Sequence, residues 1–316
     1  MPELAAILEQ AHDWKTAVPH LAALPDAACR ELAPALERWP DADRLAPAGW
    51  IDQALAGDPP PALQLCRSLS LADRRRDADA IDRLLRHPHL AGITQLTLGM
   101  DARELTPQWF ASLTALQELR IETTEPFTSA LRDDQLATLA ASPLQHLTLL
   151  SLDNVHLRGP GVAALARSST LTALTTLELY APATAALCKA LATRPAPALR
   201  GVRHLALCAD HFTVAAAAAL ARAEDLLADL DTLEFRIAES NGFDWAEPFS
   251  HGDGERNARR FAAALARLLP ALHDCSRVTI AYPPGRAVVH LDRADIEGLA
   301  RKPRELRESF PRALAG

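Results

Sequence analysis

Leu147-Thr148-Leu149-Leu150-Ser151-Leu152-Asp153-Asn154-Val155-His156-Leu157 is the stretch whose reading decides the fold. Leucine stands at its first, fourth, sixth and eleventh places. From the fourth place, leucine alternates with polar residues, as a short strand with one buried face requires. Gly159-Pro160-Gly161 is a turn signal, and Val162 to Arg167 reads as a short helix. Leu174-Thr175-Thr176-Leu177-Glu178-Leu179 then restarts the strand pattern. One strand with one helix cannot bury its own apolar face, but a stack of such units can. The expectation is a repeat architecture of the α/β class, with a curved parallel sheet inside and helices outside.

Working outward, the LxxLxL pattern recurs with conservative replacements. It begins at Cys66, Leu69 and Leu71 and continues at Ile93, Leu96 and Leu98, then at Leu116, Leu119 and Ile121. After the two central copies come Val202, Leu205 and Leu207, then Leu230, Leu233 and Phe235, and last Cys275, Val278 and Ile280. First positions lie 27, 23, 31, 27, 28, 28 and 45 residues apart. On these eight copies the segment from Leu65 to Leu291 resembles leucine-rich-repeat proteins, and among them the ribonuclease-inhibitor-like class. The resemblance implies a solenoid in which each repeat pairs a strand with a helix. That family places Asn or Cys three residues beyond the sixth-position leucine, where it ties adjacent turns together. Here those places hold Arg74, Asp101, Thr124, Val155, Pro182, Asp210 and Ala238, so irregular turns are expected after the strands.

The flanks read differently. Residues 1–60 show helical spacing at Leu4, Ile7, Leu8 and Ala11, and again at Leu32, Leu36 and Trp39, broken by prolines into short helices. This segment carries ten acidic against four basic residues and is read as a helical N-terminal cap. Residues 61–292 are the expected solenoid, with an insertion at 238–256, and 293–316 a helical C-terminal cap. Within the solenoid, Val278 to Tyr282 and Ala287 to Leu291 flank Pro283-Pro284-Gly285-Arg286, a hairpin signal that would cover the edge of the parallel sheet. Further helices are expected at Ala78 to Leu85, Asp133 to Ala141, Ala183 to Ala192, Val214 to Leu227 and Asn257 to Leu269. The hairpin should be followed by helices at Asp295 to Leu299 and Glu305 to Phe310.

Composition narrows the function classes. A formal net charge of -7 argues against a phosphate-backbone or anionic-membrane partner. No hydrophobic run approaches a membrane span. The cysteines Cys29, Cys66, Cys188, Cys208 and Cys275 are odd in number, scattered and without CxxC spacing, which fits a reducing, cytoplasmic setting.

No glycine-rich phosphate loop, GxSxG elbow or HExxH occurs. His87-Pro88-His89 reads as a loop at a helix end. His251-Gly252-Asp253-Gly254-Glu255 alternates three metal-type ligands but matches no Ca²⁺ or Zn²⁺ loop. Cys208 falls at an expected exposed strand position and shares that face with His204 about 13 Å away, too far for a thiolate–imidazole pair. No cofactor or metal is therefore expected, and no catalytic residue.

The expected function is a non-enzymatic protein-interaction module of adaptor, inhibitor or immunity type, using the concave sheet face. Glu118, Arg120, Glu122, Asp153, Glu178, Tyr180, His204, Glu234 and Arg236 fall on that face. Phe243, Trp245 and Phe249 concentrate aromatics in the insertion of a chain with only 5% of them, and read as partner anchors or as inward-folded plugs. Two alternatives stay open. One is a metal-dependent enzyme with the insertion as lid and His251, Asp253 and Glu255 as ligands. The other is a purely structural, self-associating solenoid.

Overall fold

The computed structural model describes residues 11, 13–72, 78–99, 105–122, 131–153, 159–208, 212–236, 254–281 and 288–301. Their framework is one sheet of nine strands in chain order: β1 Ser68–Leu71, β2 Gln95–Gly99, β3 Glu118–Glu122, β4 Leu149–Asp153, β5 Thr176–Pro182, β6 His204–Cys208, β7 Thr232–Arg236, β8 Arg277–Ala281 and β9 Val288–Asp292. Neighbours from β1 to β8 run parallel, and β9 returns antiparallel to β8. The class is α/β, and each LxxLxL copy supplies one parallel strand.

Register follows from the repeated apolar positions. Leu69, Leu96, Leu119, Leu150, Leu177, Leu205, Leu233 and Val278 are successive partners across the sheet. All eight are at most 2% exposed. A one-residue slip would carry this column to the opposite face, so the alternation holds the register strongly. Ahead of the strands runs a second ladder. The carbonyl of Arg67 accepts from the N–H groups of Thr94 and Gln95, that of Thr94 from Gln117 and Glu118, and that of Gln117 from Thr148 and Leu149. It continues through Thr148, Thr175, Arg203 and Asp231. Hydroxyls reinforce it: Thr148 Oγ1 donates to Gln117 O at 3.1 Å, Thr175 Oγ1 to Thr148 O at 3.1 Å and Ser276 Oγ to Asp231 O at 2.9 Å. These bonds tie adjacent repeats on the side where the strands begin.

The turns after the strands were expected to be irregular. At β5 the register to β6 shifts between Leu179 and Pro182, because proline cannot donate to the ladder. The other six expected positions lie outside the described residues.

The helices in chain order are α1 Trp14–Leu21, α2 Asp26–Leu32, α3 Ala48–Leu55, α4 Ala78–Leu85, α5 Asp133–Ala140, α6 Gly159–Ala166, α7 Ala185–Leu191, α8 Val214–Leu220, α9 Glu224–Leu227, α10 Gly254–Leu268 and α11 Arg293–Arg301, and α5, α6, α7, α8 and α10 pack one against the next in the order of the strands. Thr184 and Thr213 cap α7 and α8 by accepting from Leu187 N and Ala216 N, each at 3.2 Å. Small residues set the spacing of these helices. Gly161 N donates to Asp133 Oδ1 at 2.8 Å, and a Cβ on Gly161 would stand 2.9 Å from Asp133 Cα.

Two expectations need correction here. The helix expected from Val214 to Leu227 is broken into α8 and α9, where Asp225 turns to accept from Ala196 N at 3.0 Å and Arg200 Nε at 3.3 Å. The helix expected from Asn257 starts earlier, at Gly254, which places Glu255 in its first turn, where an acidic residue is favoured. The helix expected at Glu305 to Phe310 lies outside the described residues.

The N-terminal helices join the sheet through one extended bridge, Leu45 beside Ser68. Arg44, 1% exposed, donates Nε to Leu65 O at 3.0 Å, and its Nη2 donates to the same oxygen. Burial lowers its pKa to about 10, so it stays charged at neutral pH. Its carbonyl accepts from Arg67 N and Ser68 N, so one residue ties helical segment to sheet by side chain and backbone together.

None of the five cysteines is in a disulfide, and all five are buried. Burial pushes the Cys66 and Cys188 thiols up to about 12 and raises Cys29 and Cys275 in the same direction. A thiolate is the reactive species, so these groups should resist alkylation while the chain is folded. In an Ellman titration near pH 8, native protein should react at less than about 1% of the free-thiol rate, and protein in denaturant at all five cysteines. Rapid native labelling would contradict this packing.

Candidate functional site

Alternation gives the sheet a second face, opposite the leucine columns. Its middle row, read across the strands, is Ser70, Thr97, Arg120, Ser151, Glu178, Ala206, Glu234, Thr279 and His290. Long charged side chains here alternate with small ones. Neighbouring strands lie about 4.8 Å apart, so residues two strands apart are separated by about 10 Å, within the joint reach of an arginine and a glutamate. Arg120 extends over Ser151 to Glu178, Nη1 to Oε2 at 3.4 Å. Ser151 and Ala206, beside Glu178 in the row, are 5% and 0% exposed.

Glu178 is the centre of the arrangement. From β3 it receives Arg120, and from β7 Arg236, Nη2 to Oε1 at 3.7 Å. Tyr180 Oη donates to Glu178 Oε2 at 3.0 Å, and the Arg236 guanidinium lies 4.5 Å from the Tyr180 ring centroid. Arg236 Nε also donates to Glu234, whose Oε2 is 3.9 Å from His204 Nε2. At the other side Arg120 approaches Glu118 at 3.9 Å, and Gln95 Nε2 donates to Glu118 Oε1 at 3.2 Å. Near β9, Thr279 Oγ1 and His290 Nδ1 share a hydrogen bond of 3.2 Å. Burial raises the Glu234 pKa. His204 opposes that shift, Glu178 adds to it, and His290 opposes it.

The sequence-predicted residues divide into three groups. Glu118, Arg120, Glu178, Tyr180, His204, Glu234 and Arg236 form one connected network. Glu122 is exposed at the end of β3, and Asp153 ends β4 in the same sheet. Phe243, Trp245 and Phe249, with His251 and Asp253, lie outside the described residues. Glu178 is 8% exposed, because two guanidiniums and a phenol close over it. One expectation changes. Cys208 is 5% exposed rather than open to solvent.

Sequence reading places Ser151, Ala206 and Thr279 on this face without linking them to the charged residues, and it missed His290. The signal was available in the fifth position of each LxxLxL copy, where charge complementarity links copies two apart rather than neighbours.

His87 and His89 sit at the short 3₁₀ turn Pro88–Leu90, their rings 4.5 Å apart. His89 Nε2 lies 3.4 Å from Asp26 Oδ1, which also accepts from Gln64 Nε2 at 2.8 Å. These residues join α2 to the first repeats. Among the described residues, no group of three or more His, Cys, Asp or Glu side chains is placed to hold a metal ion. None of the described helices is long and apolar enough to cross a membrane.

No protein-family model and no curated protein matches this chain.

Proposed function

We propose that the chain is a leucine-rich-repeat solenoid of the ribonuclease-inhibitor-like type, capped at both ends, and that it works as a non-enzymatic protein-binding module of adaptor, inhibitor or immunity type. Eight copies of one apolar pattern, paired in register, support the architecture. The observation that carries the binding reading is the cross-braced face around Glu178. There Arg236 is held between two carboxylates against the Tyr180 ring. Holding an arginine and a tyrosine in one geometry before a partner arrives lowers the ordering cost of binding. These residue types are also enriched where interfaces concentrate their energy. The insertion that follows Arg236 by two residues brings Phe243, Trp245 and Phe249 as the second contact. Five buried cysteines outside any disulfide suit a reducing cytoplasm, which we take as the site of action.

The test is capture by the tagged chain from an extract of the cells that make it, followed by affinity measurement with the captured protein. Tyr180→Ala and Arg236→Ala should each weaken that complex at least about tenfold. The melting temperature should stay within about 5 °C, because the arginine is partly solvated and its ion pairs are screened. Arg222→Ala, at an exposed position just after α8, should change nothing. Equal affinity for the two face variants, with loss in the α8-side variant, would defeat the reading.

A further inference from the structure

Cations line one edge of the helix layer. Strands β4 to β8 run parallel, so each helix between them returns towards the edge where the strands begin. The C-terminal ends of α6, α7, α8 and α10, which pack one against the next, therefore lie side by side along that edge. Each end carries one cation. Arg167 follows α6, Arg222 lies two residues beyond α8, and Lys189 and Arg267 stand in the last turns of α7 and α10. All four are exposed.

A helix C-terminus favours positive charge, which accounts for one cation at each end. It does not account for their lack of partners. Arg194 and Arg200, on the same edge, are held by Glu224 and Asp225, and Arg120 and Arg236 are braced on the sheet face. Among the described residues, none of the four helix-end cations meets a carboxylate. The surrounding charge does not balance them. Off the sheet face, residues 159–208, 212–236 and 259–274 hold nine basic against five acidic residues, in a chain of formal net charge -7.

The spacing of the row selects its ligand. Packed helices stand about 8–10 Å apart, so the four charges follow one another at that interval. A polyproline-II chain turns once every three residues and rises about 3.1 Å per residue, so every third side chain returns to one face after about 9 Å. A β-strand repeats its face after about 6.6 Å, out of step with the row. The row is one cation wide, with Asp229 and Asp231 exposed where β7 begins, which opposes a broad polyanion such as duplex nucleic acid or an anionic bilayer. We propose that these helix ends bind an acidic protein segment in polyproline-II conformation, with a carboxylate at every third residue meeting Arg167, Lys189, Arg222 and Arg267 in turn. The surface is separate from the Glu178 face and does not depend on what that face binds.

Two labelled peptides of one composition test this by fluorescence anisotropy with the full chain at about 20 mM salt. One is Glu-Pro-Pro-Glu-Pro-Pro-Glu-Pro-Pro-Glu, and the other has its four glutamates together before six prolines. The spaced peptide should bind at least about tenfold more tightly than the block peptide, and should dissociate at about 0.5 M salt. Arg167→Gln/Lys189→Gln/Arg222→Gln/Arg267→Gln should weaken it at least about tenfold, with unchanged circular dichroism. Lys15→Gln/Arg83→Gln/Arg293→Gln/Arg301→Gln removes the same charge at exposed positions elsewhere and should bind it as the parent does. Equal affinity for the two peptides, or none for either, would overturn the proposal. So would equal losses in the two fourfold variants. Tighter binding of a single-stranded oligonucleotide or of phosphatidylserine vesicles, lost in the first variant alone, would overturn the choice of a protein segment.

Discussion

Phe235→Ala is expected to lower the unfolding free energy by about 4 kcal/mol, the usual cost of emptying a fully buried aromatic site. Phe235 stands in the second apolar column, where other strands carry leucine or isoleucine, and it is 0% exposed. The repeat beginning at Leu230 is the long one, 45 residues to the next, and a leucine there would leave space between β7 and α10. Three rings fill it. Phe235 lies 4.6 Å from Phe212 and 5.3 Å from Phe261, and the latter two are 5.9 Å apart. Phe261 is on α10, so the trio couples the helix after the insertion to the strand before it. Urea unfolding followed by circular dichroism measures the loss. Phe235→Leu should cost well under half as much, because it restores much of the lost volume. A loss below about 1 kcal/mol for the alanine variant would show that the trio does not hold this repeat.

Gly99→Ala is expected to cost about 3 kcal/mol although it adds a single methyl group. Gly99 ends β2, and a Cβ there would lie 2.0 Å from the Ala72 carbonyl oxygen and 2.6 Å from its carbon. Both are backbone atoms, so no rotamer change relieves the overlap. One strand end must move away from the other, weakening the pairing of β1 with β2 at its last rungs. Three of the five tryptophans, Trp14, Trp39 and Trp50, cluster in the N-terminal segment, and Trp14 Nε1 donates to Leu45 O at 2.7 Å. Fluorescence therefore reports the end of the molecule that the substitution perturbs. The fluorescence midpoint in urea should fall further than the helical signal. Coincident, unshifted midpoints would mean that the close approach of Gly99 to Ala72 is dispensable.

Much of the candidate face was legible in the sequence residue by residue, but its connections were not. Arg120, Glu178, Tyr180 and Arg236 stand out as polar positions between buried leucines. That Arg120 bonds Glu178, 58 residues away, follows only once the intervening repeat has spaced their strands. The burial of Glu178 was not legible, because nothing local tells a residue that two guanidiniums will close over it. Cys208 read as exposed for the same reason, since alternation assigns a face without saying how crowded that face becomes.

Strand order, the parallel direction and the leucine columns were determined by the sequence alone, because a two-residue alternation repeated eight times leaves one arrangement that buries every leucine. The break between α8 and α9, the shifted register at Pro182 and the network around Glu178 were decided by tertiary structure. Each depends on distances between residues in different repeats, and those distances exist only after the helices have packed and set the strands side by side.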